Sequence, residues 1–240
     1  MHHIPSLLDR LRGRLVVSCQ ARAGEPLHGP EHMTAMALSA IAGGAGGIRC
    51  EGPDDVRAIR SATDLPLIGL WKAGHEGVYI TPTLEHALQV AEAGADLVAI
   101  DATARPRPDG RTLEETIAEL TARGVAVMAD VSTLDEGIAA ARAGAAVVGT
   151  TLSGYTPETA GVPGPDVALV AALVRAVDVP VVAEGRIQTP GQLAAAFDAG
   201  AWAVVVGGAI TRPASITAGF VDAIPADAGR GAAERGRLHV

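Results

Sequence analysis

Aromatic side chains are nearly missing from this sequence, which has two Trp, two Tyr and two Phe among 240 residues. A protein that grips single-stranded nucleic acid needs exposed rings on which bases stack, so that class is set aside. Basic runs are missing too. The net charge is −8, with 19 Lys and Arg against 27 Asp and Glu, and a duplex-binding surface needs clustered cations. No nucleic-acid partner is expected. No apolar stretch approaches the roughly 18 residues of a membrane-spanning helix, so no membrane partner is expected either. Met1 to Arg14 lacks the basic–apolar–small order of an export signal, which makes the cytoplasm the expected compartment. There the two cysteines, Cys19 and Cys50, stay reduced and serve as small buried groups. HxH, HExxH and CxxC spacings are absent, so no metal site is expected among the seven histidines. His28, His32, His75 and His86 fit surface or loop positions, and His2-His3 a non-functional terminus. A GxSxG elbow is absent as well.

What is present is a repeating pattern. Apolar runs near 14–20, 46–50, 67–72, 95–101, 125–130, 145–149, 180–185 and 201–207 alternate with Ala-, Leu- and Glu-rich segments near 31–43, 53–62, 83–92, 112–122, 133–142, 165–176, 189–198 and 213–223. Short, wholly apolar strands are those covered on both faces. Pro53, Thr81-Pro82, Thr133 and Thr189-Pro190 read as helix starts, and Gly94, Gly124, Gly144 and Gly200 as left-handed helix ends. An Ala-Gly-Ala triplet recurs at 93–95, 143–145 and 199–201, each time before a strand. Eight strands alternating with eight helices, with no GxGxxG in the first unit, predict α/β architecture: a single (β/α)8 TIM barrel over 1–225, followed by a flexible tail over 226–240.

In such a barrel the active site lies at the carboxyl ends of the strands. Reading each strand to its end gives Gln20, Arg49, Lys72, Asp101, Asp130, Thr150–Ser153, Glu184 and Gly207-Gly208. One polar group per strand at one rim is more than core packing requires. Lys72 follows the apolar run 67–71; desolvated at the barrel mouth, it becomes a base or a Schiff-base amine. Glu184 closes strand seven, opposite strand three, and is placed to orient Lys72 or to carry a proton. Asp101 and Asp130 are candidates to accept hydrogen bonds from sugar hydroxyls, with a structural role equally open for Asp101. Gly185, Gly207 and Gly208 leave backbone N–H groups open to an anion, and Arg212 adds a planar fork suited to phosphate oxygens.

Read together, Ser18-Cys19-Gln20-Ala21, Gly47-Ile48-Arg49, Pro66-Leu67-Ile68-Gly69 leading to Lys72, Ile80-Thr81-Pro82-Thr83, Ile100-Asp101-Ala102-Thr103, Ala129 to Thr133, Gly149 to Thr156, Ala183-Glu184-Gly185-Arg186-Ile187 and Val206 to Pro213 resemble, in order, the bacterial N-acetylmannosamine-6-phosphate 2-epimerase family of sialic-acid catabolism. The resemblance runs from about residue 15 to 223. It implies reversible, cofactor-independent inversion at C2 of N-acetylmannosamine 6-phosphate, giving N-acetylglucosamine 6-phosphate. By motif match Lys72 and Glu184 become the catalytic pair. Gln20, Arg49, Asp130, Thr151 and Asp101 become contacts to the sugar, while Gly185, Arg186, Gly207, Gly208 and Arg212 take the phosphate. The expected partner is therefore a small-molecule sugar phosphate, and a homodimer is expected because the family is usually oligomeric. A Schiff-base aldolase using the same lysine is the alternative, with a non-catalytic sugar-phosphate sensor behind it.

Overall fold

The computed structural model describes residues 4–74 and 76–225; the expectations for His2, His3, His75 and the 226–240 tail lie outside the described residues. Eight strands pair in parallel, in chain order, and the last closes on the first. They are β1 (Arg14–Cys19), β2 (Gly47–Glu51), β3 (Leu67–Leu70), β4 (Leu97–Asp101), β5 (Ala126–Asp130), β6 (Val147–Gly149), β7 (Val181–Glu184) and β8 (Ala203–Val206). The helices are α1 (Ile4–Leu11), α2 (Pro30–Ala42), α3 (Pro53–Ala62), α4 (Leu84–Glu92), α5 (Leu113–Ala122), α6 (Leu134–Arg142), α7 (Val167–Ala176), α8 (Pro190–Asp198), α9 (Gly208–Thr211) and α10 (Pro213–Asp222), with one 3-10 turn at Pro157–Thr159.

Alternation along each strand builds two apolar layers. Val16, Ile68, Leu70, Leu97, Ala99, Met128, Val147, Val182 and Val205 fill the interior, while Val17, Cys19, Ile48, Cys50, Val98, Ile100 and Val204 face the helices. Cys19 and Cys50 are register partners on β1 and β2 and are free, buried thiols. The helices pack close because the residues between are small. A side chain at Gly69 would sit 2.6 Å from Val90 Cγ1 and 2.7 Å from Ala95 Cβ.

Two features differ from the expected pattern. Helix α1 was not anticipated, yet it closes the amino-terminal mouth of the barrel. Leu7 and Leu11 are 2% and 1% exposed, a burial that contributes roughly 1.5–3 kcal/mol per side chain, and Trp202 Nε1 donates to Leu8 O at 2.8 Å. The cap of α4 is Thr83, whose hydroxyl accepts from His86 N, and not Thr81. Thr81 is instead buried in a left-handed conformation, φ 47°, with a task at the site. Gly94, Gly124, Gly144 and Gly200 all have positive φ at helix ends, as expected.

Candidate active site

The carboxyl ends of the strands open into a cavity of about 470 Å³, within the range of roughly 300–1,000 Å³ usual for small-molecule sites. Gln20, Arg49, Lys72, Thr151, Glu184, Gly185, Arg186, Gly207, Gly208 and Arg212 line it. Among the residues expected from the sequence, Asp130 and Asp101 do not.

The reason lies in the register. Asp101 and Asp130 are partners on β4 and β5, so two buried carboxylates project side by side. Like charges at that spacing need separate cations. Arg105 Nη2 serves Asp101 at 2.7 Å, and Thr103 donates to the same carboxylate through N at 3.0 Å and Oγ1 at 2.7 Å. Asp101 is thus filled by its own loop, and the expected reach to a sugar hydroxyl is not what the geometry gives. Asp130 instead anchors Arg49, which is 1% exposed. Arg49 Nη2 and Nη1 donate to its two oxygens at 2.6 and 3.2 Å, and Thr151 Oγ1 donates to Oδ1 at 2.7 Å. The same Nη1 also donates to Glu184 Oε2, at 2.5 Å.

Lys72, two residues past the end of β3, and Glu184, at the end of β7, therefore stand across an eight-stranded ring and face one cavity. Burial pushes the Glu184 carboxyl up to about 7, with Arg49 pulling it down and Asp130 pushing it further up. Burial lowers the Lys72 ammonium from the usual lysine range, and Arg49 adds to this, while Glu51 and Glu184 pull the other way. An acid moved up and a base moved down are shifted toward each other, the direction in which acid–base exchange is favoured. Lys72 Nζ donates to Gln20 Oε1 at 2.5 Å and lies 3.4 Å from Glu51 Oε2.

The backbone that carries Lys72 is clamped. Thr81 N donates to Trp71 O at 2.7 Å, Trp71 N donates to Thr81 Oγ1 at 3.0 Å, and that hydroxyl donates to Ala99 O at 2.6 Å. Arg107 donates to Thr81 O at 2.8 Å and Asp101 O at 2.7 Å. A left-handed threonine survives where its surroundings over-determine it, and here Thr81 itself takes part in four hydrogen bonds.

On the β7–β8 side, Gly185 (φ 115°) precedes Arg186 (φ 56°). The Arg186 guanidinium donates to Gly164 O at 2.6 Å and to Ser153 O, and crosses Gly154, where any side chain would overlap it. Its fork is thus partly committed to loop carbonyls. Arg212 makes a looser pairing, 3.7 Å from Glu25 Oε1. Sequence reasoning missed Arg22, Tyr79 and Tyr155 in the lining, and Glu51 behind Lys72. Glu51 was legible: it is two residues past Arg49 on the same strand, and such residues share a face. Tyr79 arrives through the return of the loop after β3, where Ile80 bridges Lys72, and no local signal marks it.

The comparisons with known proteins agree with this geometry. Residues 33–226 match the family described as "Putative N-acetylmannosamine-6-phosphate epimerase". The chain belongs to that family. A relative from Cutibacterium acnes, "Putative N-acetylmannosamine-6-phosphate 2-epimerase", is 52% identical over 91% of this chain and 96% of its own. A relative of the same description from Clostridioides difficile is 47% identical over 91% and 99%. The solved structure of the N-acetylmannosamine-6-phosphate 2-epimerase from Clostridium perfringens superposes with a TM-score of 0.88 at 44% identity, covering 92% of this chain and 98% of that one. The epimerase family is thus shown by sequence and by fold together. A thiamine phosphate pyrophosphorylase from Pyrococcus furiosus, at 19% identity and a TM-score of 0.60, shares the barrel alone.

Proposed function

We propose that this epimerase-family chain interconverts N-acetylmannosamine 6-phosphate and N-acetylglucosamine 6-phosphate by taking the proton from C2 and returning one to the opposite face. The observation that carries this reading is the placement of Lys72, just past β3, and Glu184, at the end of β7, across one cavity. In the open-chain sugar the C2 proton is acidic because it lies beside the C1 aldehyde. Lys72, as free amine, takes it. The C2–H electron pair moves into a C1–C2 double bond and the charge settles on O1, which donors near the rim stabilise as it develops. Glu184, held protonated over part of the neutral range, returns a proton from the other side. Gln20 and Arg49 orient the sugar, and Thr151 and Asp130 hold Arg49 and Glu184 in place. Gly185, Gly207, Gly208, Arg186 and Arg212 receive the phosphate, and that anchor fixes C2 between acid and base.

The test is proton NMR of the substrate with the protein in deuterium oxide. The expected result is the second epimer carrying one deuteron at C2, with Lys72→Ala abolishing the exchange. Exchange that survives Lys72→Ala removes the lysine from its role, and a borohydride-trapped substrate adduct on Lys72 would favour the aldolase alternative. A homodimer is part of the proposal: α10 buries none of its residues, and Phe220, Val221 and Ile224 are 75%, 55% and 61% exposed, an apolar surface that a partner copy would cover. Sedimentation at micromolar concentration decides it. The cytoplasm is the compartment proposed, because the charged phosphate keeps this substrate on one side of a membrane. No helix among the described residues is long and apolar enough to cross one.

A further inference from the structure

Lys72 is held from behind by a residue outside the cavity lining. Glu51 ends β2, and its Oε2 lies 3.4 Å from Lys72 Nζ, with the two side chains 22% and 34% exposed. Arg49 and Glu51, two apart on one strand, project to the same side. Consecutive inward positions of β2 thus grip the two halves of the proposed pair, Arg49 on Glu184 and Glu51 on Lys72.

The chemistry of the contacts decides what this grip does. A free amine has two N–H donors and one lone pair. Both of its neighbours are acceptors: the carboxylate of Glu51, and the amide oxygen of Gln20, which is turned toward Nζ because Gln20 Nε2 donates to Ser18 Oγ at 2.8 Å. Neither acceptor can bind the lone pair. With both N–H groups engaged, the lone pair is the part left to face the substrate. Once the amine has taken a proton it becomes an ammonium, and the carboxylate of Glu51 stabilises that charge.

We propose that Glu51 is a positioning residue for Lys72, which aims the amine lone pair into the cavity together with Gln20 and supports the ammonium formed on proton abstraction. This rests on Lys72 acting as the base. The charged groups that bear on Lys72 are Glu51 and Arg49 from β2 and Glu184 from β7. Beside Glu51 stands Asp55 of α3, pushed up to about 6 by burial and by Glu51 and faced by His28, so its carboxyl is ionised throughout the range used below.

Lys72 is the single lysine of the chain, which makes a direct measurement clean. The rate of acetylation of Lys72 by acetic anhydride, followed by peptide mass spectrometry between pH 7 and 11, gives the midpoint at which the amine loses its proton. In Glu51→Gln that midpoint should fall by about one pH unit, as removal of an opposite charge at this distance implies. At the same time kcat should fall about tenfold with KM within about twofold, the pattern of an interaction that matters after binding. Glu51→Asp, which keeps the charge one methylene further back, should return the midpoint at least halfway and restore part of the rate. A Glu51→Gln midpoint that stays at the wild-type value overturns the proposal, as does a Glu51→Asp midpoint no higher than that of Glu51→Gln. The labelling needs no turnover. A shifted midpoint in a protein that leaves the sugar unchanged would support the hold of Glu51 on Lys72 and count against the proposed reaction.

Discussion

Replacing Arg49 with Met should destabilise the barrel by an amount that grows with pH. Among the described residues, Arg49 is the only cation that forms ion pairs with two carboxylates. Its three close contacts, 2.6 and 3.2 Å to Asp130 and 2.5 Å to Glu184, are made at 1% exposure. Methionine fills most of the volume and removes the charge, which leaves both carboxylates buried without it. Breaking a buried pair from one side costs about 3–5 kcal/mol, a large share of the roughly 5–15 kcal/mol that holds a domain together. The pH dependence follows from Glu184. Its folded value, about 7, already exceeds the ordinary 4.5, so above 4.5 the folded chain binds a proton that the unfolded chain has lost, and stability falls as pH rises through this window. In the wild type the window closes near 7. Without Arg49, whose charge pulls Glu184 down, the window extends upward and stability keeps falling beyond 7 in the variant alone. The difference between the two proteins should therefore widen above pH 7, by at most about 1.4 kcal/mol per pH unit. A loss of about 3 kcal/mol at pH 6 should approach about 5 kcal/mol at pH 8.5. Urea denaturation followed by Trp71 and Trp202 fluorescence measures both values from the shift in midpoint at constant slope. A loss below about 1 kcal/mol, or one that is flat from pH 6 to 8.5, would refute the view that Arg49 compensates these two carboxylates.

Two further substitutions probe the surroundings of the pair. Thr81→Val keeps the shape and removes the hydroxyl that accepts from Trp71 N and donates to Ala99 O; two buried backbone groups lose partners, for about 2–3 kcal/mol, and Thr81→Ser should recover most of it in thermal melts. Because Trp71 directly precedes Lys72, kcat should fall with the same variant. Arg212→Gln should raise KM about tenfold, the worth of one charge-assisted contact to an anion, and leave kcat within about twofold; an equal fall in kcat would place Arg212 in the chemical step.

Much of this was legible in the sequence because a parallel barrel repeats one rule eight times. Each apolar run had to be a strand, each run had to end at the same rim, and the polar residue after it had to point toward the site. The sequence also held a stronger signal than any of its motifs: every basic residue but one is arginine, and the single lysine is Lys72. A position that keeps an amine amid guanidinium groups is one where a proton must come and go, because arginine does not release its own. What stayed hidden depends on contacts distant in the chain. Asp101 looks like Asp130 from the sequence, and only the register of β4 against β5 shows that their charges must be compensated separately. Thr81-Pro82 resembles a helix start, and only the return of the chain past Lys72 turns Thr81 into a clamp on Trp71. Helix α1 did leave a trace, since Ile4, Leu7, Leu8 and Leu11 fall on one helical face, but eight residues are too few to stand out by periodicity alone.

The circumference of the barrel is divided between reaction and support. Residues at the ends of β1, β2, β3, β6, β7 and β8 reach the cavity, whereas the carboxylates that end β4 and β5 do not. Both of these are fully buried and both are spent on arginines, Asp101 on Arg105 and Asp130 on Arg49. Their effect on the site is nonetheless direct. Asp130 holds the guanidinium that reaches Glu184. The Asp101 carbonyl takes Arg107, whose other amino group takes the carbonyl of Thr81, the residue that clamps the chain entering Lys72. The acid and the base are thus each steadied by an arginine that is itself bonded to the residue ending β5 or β4. Each aspartate is buried behind an arginine and so stays fixed while the proton moves. On that ground the two aspartates belong to the frame of the site, and exchange at C2 should respond to their loss through Glu184 and Lys72, without a separate effect on the binding of the phosphate.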